Sequence, residues 1–185
     1  MRIKFFLVSL ITACVATVAS AQNEFGKGDV ALNINYGAGT FEDDVFQNSL
    51  GASLEYGIME GVIKGKGTIA VGAQVGLGFG SETKQNVDID CTRIRIATRG
   101  VFHYQFIPQL DTYAGITLGI VDIDKAKASA TANNIKVSEE NSEAHFINPV
   151  AFAGARYMLS DSFGLNVELS WDHFAMLGVG VTLKF

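Results

Sequence analysis

Large apolar side chains recur at every second position along most of the chain after residue 28. This alternation has the period of a β-strand, whose successive side chains point to opposite faces, and not the period of a helix. Most alternating segments run to about 9–14 residues, the length of tilted strands that cross an outer membrane. Eight segments show the pattern: Asp29–Gly37, Leu50–Ile58, Ile69–Gly80, Arg93–Phe106, Thr112–Val121, Phe146–Leu159, Leu165–Trp171 and Met176–Phe185.

The face opposite the large residues is rich in glycine and alanine, yet it also carries charged residues such as Glu55, Arg95 and Glu168. A soluble barrel would bury the large apolar side chains. A small barrel in a membrane does the opposite, because its exterior must be apolar and its narrow interior holds glycines and a few linked polar groups. Closure leaves no unpaired strand edge in lipid. The sequence therefore predicts an all-β fold, an eight-stranded antiparallel up-and-down transmembrane β-barrel.

One segment fits the alternation poorly. Phe146–Leu159 is apolar throughout its middle, and Arg156 falls on the same face as the large residues. A β-bulge or a strand end near Gly154 would correct the register.

The connections between the predicted strands alternate in length, as in outer-membrane barrels. Ile107–Gln109 and Ser160–Gly164 resemble tight turns, although Glu60–Gly67 is longer than usual. The other set is mostly longer and acidic, and we expect it to be extracellular: Thr40–Ser49, Ser81–Thr92, Asp122–His145 and the short Asp172–Ala175. Asp122–His145 is interpreted either as a recognition loop or as strand extensions beyond the membrane.

Aromatic residues are expected to form a girdle at each membrane interface. The predicted topology places Phe46, Phe79 and Trp171 toward the outer end. It places a larger group at the periplasmic end: Tyr56, Tyr104, Phe106, Tyr113, Tyr157, Phe163 and Phe185.

The N-terminus has the features of a secretory signal. Arg2 and Lys4 precede a mostly apolar stretch, and Ala19-Ser20-Ala21 matches a signal-peptidase site. Residues 1–21 are therefore predicted to be a signal peptide and residues 22–185 a single barrel domain. An alternative is a lipoprotein signal with Cys14 as the acylated residue.

Charge and cysteine content narrow the function classes. The full chain has a formal charge of −5, which becomes about −7 without Arg2 and Lys4 and argues against a nucleic-acid partner. After the signal no apolar run approaches the length of a membrane-spanning helix. Cys91 would be the only cysteine of the mature chain, so no internal disulfide is expected, and a passive role is favoured over a reactive one.

The whole mature chain resembles the small outer-membrane barrels of the OmpX/Ail and OmpA-transmembrane type, and the porin-family proteins with an outer-membrane β-barrel domain. The resemblance depends on the strand count and on four phrases: Tyr113-Ala114-Gly115, Gly154-Ala155-Arg156-Tyr157, Asp161-Ser162-Phe163-Gly164-Leu165 and the ending Gly178-Val179-Gly180-Val181-Thr182-Leu183-Lys184-Phe185. The ending is similar to the signal read by the outer-membrane insertion machinery, with Val181, Leu183 and Phe185 as its alternating apolar positions. The resemblance implies a class of protein and no particular activity, because these families include adhesins, narrow pores and anchors.

The candidate site is a set of charged residues on the inward face. It comprises Glu55, Arg93, Arg95, Arg99, Glu168 and Lys184. Because charges in a closed interior need partners, a structural ion-pair network that plugs the lumen is favoured over a gated polar channel.

Other chemistry has weaker support. His103, His145 and His173 have no metal-ligand spacing, and no activated nucleophile can be placed beside Asp172-His173. The acidic loops could bind Ca²⁺ or bridge lipopolysaccharide, but a solvated surface is favoured. No catalytic, cofactor or metal site is predicted.

We therefore expect an integral protein of the bacterial outer membrane with a structural or surface-interaction role and no enzymatic activity. Alternatives are a narrow porin-like channel for small solutes, a lipid-modifying or proteolytic barrel enzyme, and a soluble periplasmic barrel of lipocalin shape. The expected partners are outer-membrane lipids and lipopolysaccharide, the insertion machinery and an extracellular partner of the loops. The barrel is expected to be monomeric.

Overall fold

The computed structural model describes residues 25–39, 46–84, 87–132, 135–171 and 174–185. The predicted signal peptide, Cys14, Asp172 and His173 lie outside these residues. Besides the four-residue helical turn α1 (Val62–Gly65), the described residues form nine strands: β1 (Val30–Ala38), β2 (Phe46–Gly61), β3 (Gly67–Lys84), β4 (Val87–Ile107), β5 (Leu110–Ala132), β6 (Ile135–Ile147), β7 (Val150–Met158), β8 (Phe163–Ser170) and β9 (Leu177–Lys184). Among them no helix is long and apolar enough to cross a membrane.

The strands form one antiparallel sheet that closes on itself. Their order is β4-β3-β2-β1-β9-β8-β7-β5-β6, and pairing of β4 with β5 completes the ring. β6 and β7 pair with successive parts of β5, so together they occupy one of eight positions in the wall. The predicted eight-stranded antiparallel barrel is therefore confirmed. We call the end with the β2–β3, β4–β5 and β7–β8 connections the turn end, and the opposite end the loop end.

The large apolar residues face outward. Val71 and Leu118 are 47% and 46% exposed, whereas Arg95 is 1% exposed. Along β3 the outward apolar positions extend from Ile69 to Phe79, ten residues apart. That separation is about 33 Å along the strand and about 25 Å along the barrel axis at the usual tilt, which matches the apolar band of outer-membrane barrels.

Exposed aromatic residues lie near both ends of this band. Tyr56, Tyr157 and Phe185 are exposed at the turn end, and Phe79 and Trp171 at the loop end. The side chain of Phe46 lies outside the described part of the chain. Tyr113 was predicted to belong to the aromatic girdle at the periplasmic end. This prediction was wrong, because Tyr113 is 4% exposed and faces the lumen.

A β-bulge in β5 reverses which of its residues face inward. Ile96 pairs with Val121 and Thr98 with Leu118, so Gly119 and Ile120 together lie opposite Ala97. Gly119 has a φ of 58°, the left-handed conformation that glycine adopts in this type of bulge. Ile120, predicted to face outward, is consequently buried in the lumen. After the bulge, even-numbered positions face inward.

The strand predicted as Phe146–Leu159 is divided at Asn148–Pro149, between β6 and β7. Proline cannot donate to the strand ladder, which explains a break at this point. Beyond it, even-numbered residues such as Val150, Phe152 and Arg156 face inward. The predicted correction near Gly154 was therefore wrong: the register changes before β7 begins, and Arg156 shares the inward face with large residues.

At the loop end one side of the wall rises well above the other. Much of the sequence predicted as the connections Ser81–Thr92 and Asp122–His145 forms the upper parts of β3 to β6. Of the two interpretations of Asp122–His145, strand extensions agree with the structure. By contrast, β8 ends at Ser170 and β9 begins at Leu177.

Candidate functional site: the polar lumen

The interior of the barrel contains most of its buried charge. Of the six predicted site residues, Glu55, Arg93, Arg95, Arg99 and Glu168 face the lumen. Lys184 lies on the same inward face, opposite the buried Ala31, at the turn end, where its Nζ is 3.8 Å from Asp29 Oδ2. We divide the inward charges into a lower cluster, comprising Glu55, Arg99, His103, Asp111, Arg156 and Glu168, and an upper ladder, comprising Arg93, Arg95, Asp122 and Asp124.

Arg156 is the centre of the lower cluster. Its guanidinium donates to Glu55 Oε2 at 2.7 Å, to Asp111 Oδ2 at 3.0 Å and to Asn33 Oδ1 at 3.1 Å. These partners come from three other strands, β1, β2 and β5, and all are buried. A fully desolvated arginine is stable here because its hydrogen bonds and opposite charges compensate for lost hydration.

Polar side chains of two further strands complete this layer. Thr182 donates from β9 to Asn33 Oδ1 at 2.7 Å, and Asn166 donates from β8 to Thr182 Oγ1 at 3.0 Å. The layer at Arg156 thus extends across much of the barrel cross-section.

His103 adjoins Arg156 on the turn-end side. Its Nδ1 lies 2.9 Å from Asp111 Oδ2, and its Nε2 lies 3.8 Å from Glu55 Oε2. Phe25 stacks on the imidazole with ring centroids 4.3 Å apart. Phe25 is itself held by a hydrogen bond that Thr68 Oγ1 donates to its carbonyl. Phe25 therefore covers one face of the histidine ring at the turn end.

Arg99 lies on the loop-end side of Arg156. It donates to Glu168 Oε2 at 2.6 Å and to Gln74 Oε1 at 3.2 Å, and it lies 3.4 Å from Glu55 Oε1. The guanidinium carbon also sits 3.9 Å from the centroid of the Phe152 ring. Arg99 and Arg156 share Glu55, so the lower cluster is one connected network.

The upper ladder consists of pairs between β4 and β5. Arg95 binds Asp122 through two hydrogen bonds of 2.7 and 2.6 Å, and Arg93 binds Asp124 through two of 2.7 and 2.8 Å. The partners are directly opposite in the strand register, Arg95 with Asp122 and Arg93 with Asp124. Phe174, at the loop end, lies over Arg95 at 4.7 Å.

Two small cavities flank the lower cluster. One of about 60 Å³ reaches from Arg99 and Glu168 to Phe174, and it has room for a few water molecules. The other, of about 180 Å³, lies at the turn end beside Phe25 and His103. They share no lining residue, and neither Arg156 nor Glu55 lines either of them. These two cavities are therefore separate from each other.

Glycines on the inner face make room for aromatic rings. At Gly154 an added Cβ would clash with the ring of Tyr113, and at Gly76 it would clash with Phe174. At these two positions the narrow barrel accommodates a ring because the facing wall has no side chain.

Five members of the site were not among the predicted residues: His103, Asp111, Asp122, Asp124 and Arg156. Two signals in the sequence point to three of them. Asn148-Pro149 marks a strand break. In a strand that begins after it, Arg156 lies on the same face as Val150 and Phe152, since all three are an even number of residues apart. Gly119 inside a strand pattern can mark a bulge. After a bulge the residues that alternate inward and outward exchange places, which turns Asp122 and Asp124 inward.

The two described histidines, His103 and His145, lie in different parts of the barrel. His103 is buried in the lower cluster, whereas His145 is partly exposed at the loop end, 4.0 Å from Asp124 Oδ2 and 3.8 Å from Glu143 Oε2. In the described part of the chain no group of three or more His, Cys, Asp or Glu side chains is arranged to hold a metal ion.

The fold is similar to solved outer-membrane barrels. Ail, the attachment invasion locus protein of Yersinia pestis, solved with the heparin analogue sucrose octasulfate, is 13% identical over 86% of this chain and 99% of its own, with a TM-score of 0.51. Neisserial surface protein A is 12% identical (85% and 96% covered, TM-score 0.49). The N-terminal β-barrel domain of Pseudomonas aeruginosa OprF is 14% identical (87% and 100% covered, TM-score 0.45).

No protein-family model and no curated protein matches the sequence. At these identities the likeness concerns the fold. The chain has the fold of the small eight-stranded outer-membrane barrels.

Proposed function

We propose that this protein is an integral, monomeric barrel of the bacterial outer membrane, with a structural or surface-interaction role and no enzymatic activity. The observation that carries the proposal is the reversed distribution of polarity. Large apolar side chains such as Leu54, Val75 and Leu165 are about half exposed, whereas four arginines are buried inside. Only an apolar surrounding makes such an exterior favourable.

The closed lumen supports a role that does not involve transport. Arg156 links β7 to β1, β2 and β5 across the interior, and Phe25 stacks on His103 at the turn end. Contacts with other molecules would then be made by the loop end, where β3 to β6 extend beyond the rest of the wall, and by lipids and lipopolysaccharide around the barrel.

Two measurements test this proposal. The full chain, expressed with its signal, is expected to remain in the outer-membrane fraction after carbonate washing. The purified, refolded protein is expected to produce no steady current in planar bilayers that show conductance with a general porin. Release by carbonate would contradict the membrane location, and reproducible single-channel currents would contradict the closed lumen.

A narrow channel is the second candidate, and the cavity of about 60 Å³ beneath Phe174 is the observation that favours it. If Phe174 were a gate, Phe174→Ala would produce ion currents in the same bilayers. The closed-lumen proposal predicts that this variant stays silent, because the lower cluster still blocks the path.

The alternative of a lipid-modifying enzyme has a separate test. Incubation of the refolded protein with lipid A and with peptide substrates is expected to leave both unchanged, as judged by mass spectrometry. A modified product that a His103→Asn variant fails to make would overturn the non-enzymatic assignment.

The C-terminal strand supports recognition by the outer-membrane insertion machinery. Val181, Leu183 and Phe185 share the outward face of β9, and Phe185 is 74% exposed. Its backbone also pairs with Val30 in both directions, which joins the last residue to the first strand. Phe185→Ala is expected to reduce the amount of inserted barrel in cells while leaving refolding of the purified chain unchanged. Equal losses in both assays would show a purely structural role.

A further inference from the structure

His103 has one ring nitrogen that is hydrogen-bonded and one that is not. Nδ1 lies 2.9 Å from Asp111 Oδ2, and because an ionised carboxylate only accepts hydrogen bonds, Nδ1 carries a hydrogen. In a neutral imidazole Nε2 then has only a lone pair. Nε2 is buried, has no hydrogen-bond partner among the described residues and lies 3.8 Å from Glu55 Oε2. A neutral ring therefore leaves an unsatisfied buried acceptor beside a carboxylate, whereas a second proton would make Nε2 a donor to it.

The charge of the lower cluster also favours a proton at this position. The cluster contains three carboxylates and two arginines, so with a neutral histidine it has one negative charge in excess. Each carboxylate already accepts a hydrogen bond from an arginine, and a proton on any of them would weaken an ion pair. His103 is the remaining titratable group of the cluster. A proton on its ring makes the cluster neutral, which is favourable in a buried site.

The charged and titratable groups around the imidazole come from each element packed against it. They are Glu55 and Glu60 on β2, Lys66 between α1 and β3, Arg99 on β4, Asp111 and Tyr113 on β5, and Arg156 on β7. The two carboxylates beside the ring favour a second proton. Arg156 opposes it, because it donates to the same Asp111 oxygen that the ring contacts. Glu60 and Lys66 are both exposed and of opposite sign, so their effects on the ring largely cancel.

Phe25 connects the ring to the N-terminal segment, residues 25–29. Its side chain stacks on the imidazole with centroids 4.3 Å apart, and an imidazolium there gains a cation–π attraction that a neutral ring lacks. The same segment is bonded to the barrel wall through the Gly28 N–H, which donates to the Gly57 carbonyl at 2.8 Å. Both rings line the cavity of about 180 Å³ at the turn end, and the exposed residues that also line it give water access to the histidine.

We propose that His103 is a proton-binding site whose occupancy determines how firmly the N-terminal segment docks against the turn end. A proton on Nε2 turns the 3.8 Å approach to Glu55 into a charge-assisted hydrogen bond and strengthens the stacking of Phe25. Histidine is the side chain that ordinarily changes charge between about pH 5 and 8. The docked segment favours the protonated ring, so docking becomes firmer as the pH falls through this range and looser as it rises.

The test uses residues 22–185 refolded in neutral detergent micelles and NMR spectroscopy from about pH 5 to 8. The shifts of the imidazole nitrogens report protonation of His103, and the protection factor of the Gly28 amide in hydrogen exchange reports docking. We expect His103 to gain its second proton within this range. The Gly28 protection factor, which is corrected for the intrinsic pH dependence of exchange, should be about tenfold higher at the acidic end. The Phe185 amide, which donates to the Val30 carbonyl in the barrel wall, should be equally protected at both ends.

Three variants make the result specific. His103→Gln keeps a polar side chain that cannot bind a proton, and its Gly28 protection should not depend on pH, even though Asp29 and Glu60 still hold the segment. His145→Gln at the loop end should keep the pH dependence of the parent protein. Phe25→Leu keeps an apolar cover without a π face and should show a smaller pH effect. If His103→Gln does not refold, the titration of the parent protein and Phe25→Leu still decide the question.

Three results would overturn the proposal. The His103 ring could keep one protonation state over the whole range, the Gly28 protection could stay constant while His103 titrates, or the protection could change equally in His103→Gln. The inference goes beyond the proposed function, and its failure is distinguishable. Carbonate release or bilayer currents would contradict the proposed function and leave this titration unaffected, because it is measured on the refolded chain in micelles.

Discussion

The lower cluster and the upper ladder are both networks of arginine and carboxylate, but they are built differently. In the lower cluster, strands from all around the barrel contribute, and Arg156 and Arg99 share Glu55. In the upper ladder each arginine has its own bidentate partner on the adjacent strand. The ladder also becomes more exposed to solvent toward the loop end: the exposed fraction of the side chain rises from 1% at Asp122 to 28% at Asp124.

The difference shows how burial and sharing determine what a charge contributes. A buried charge left without its partner is costly, whereas an exposed pair contributes little. When a carboxylate is shared by two arginines, replacing it together with one arginine still leaves the other arginine without that partner. The lower cluster should therefore respond to every substitution, and the ladder should respond less toward the loop end.

The largest effect is expected from Arg156→Met. It leaves Glu55 and Asp111 buried without their main counter-charge, and we expect the free energy of unfolding to fall by about 3–5 kcal/mol. Urea unfolding of the protein in lipid vesicles, followed by fluorescence of the single tryptophan, Trp171, measures the loss. A loss below about 1 kcal/mol, which is the size expected for exposed pairs, would contradict the central role of Arg156.

Arg95→Met should lower the free energy of unfolding by about 3 kcal/mol, because Asp122 stays buried and loses both of its short hydrogen bonds, keeping only the 3.8 Å contact with Arg93. The double substitution Arg95→Leu with Asp122→Leu should restore most of this loss, since the two side chains give their bidentate hydrogen bonds to each other and an apolar replacement avoids desolvation. The same design in the lower cluster, Arg156→Leu with Glu55→Leu, should not recover, because Arg99 and Asp111 lose partners. Equal recovery in both would remove the distinction between shared and separate pairs.

Gly119→Ala tests the bulge that turns the ladder's aspartates inward. Alanine in the left-handed conformation costs about 1–2 kcal/mol, and the same urea titration should show this loss. Gly100→Ala is the matched control, because an added Cβ there meets nothing within 4 Å and its φ is not left-handed. If both variants were equally stable, the bulge would not need glycine.

The smallest effect is expected from Arg93→Met, at the outer end of the ladder. Asp124 is partly hydrated, so the loss should be at most about 1 kcal/mol and should shrink as salt is raised. Arg93→Lys keeps the charge and should be closer to the parent protein. A loss of stability that does not depend on salt and is as large as that of Arg95→Met would show that the Arg93–Asp124 and Arg95–Asp122 pairs are equally buried.

Local patterning was sufficient to predict the barrel and most of its orientation. The two-residue period of Leu50–Ile58 and Ile69–Gly80 assigned outward and inward faces that the structure confirms. The six predicted site residues lie on the inward face for the same reason. The predicted orientations were wrong after Gly119 and after Asn148-Pro149. At each place an extra or unpaired residue interrupts the alternation, so that the residues that follow point to the opposite face of the sheet.

By itself the sequence determined which side chains alternate, and hence that the strands expose apolar residues and enclose charged ones. Only the tertiary structure decided which charges meet. Arg156 and Glu55 are 101 residues apart, and no local pattern encodes their contact. Their contact follows from strand register around a closed ring, in which each strand's position is set by all the others.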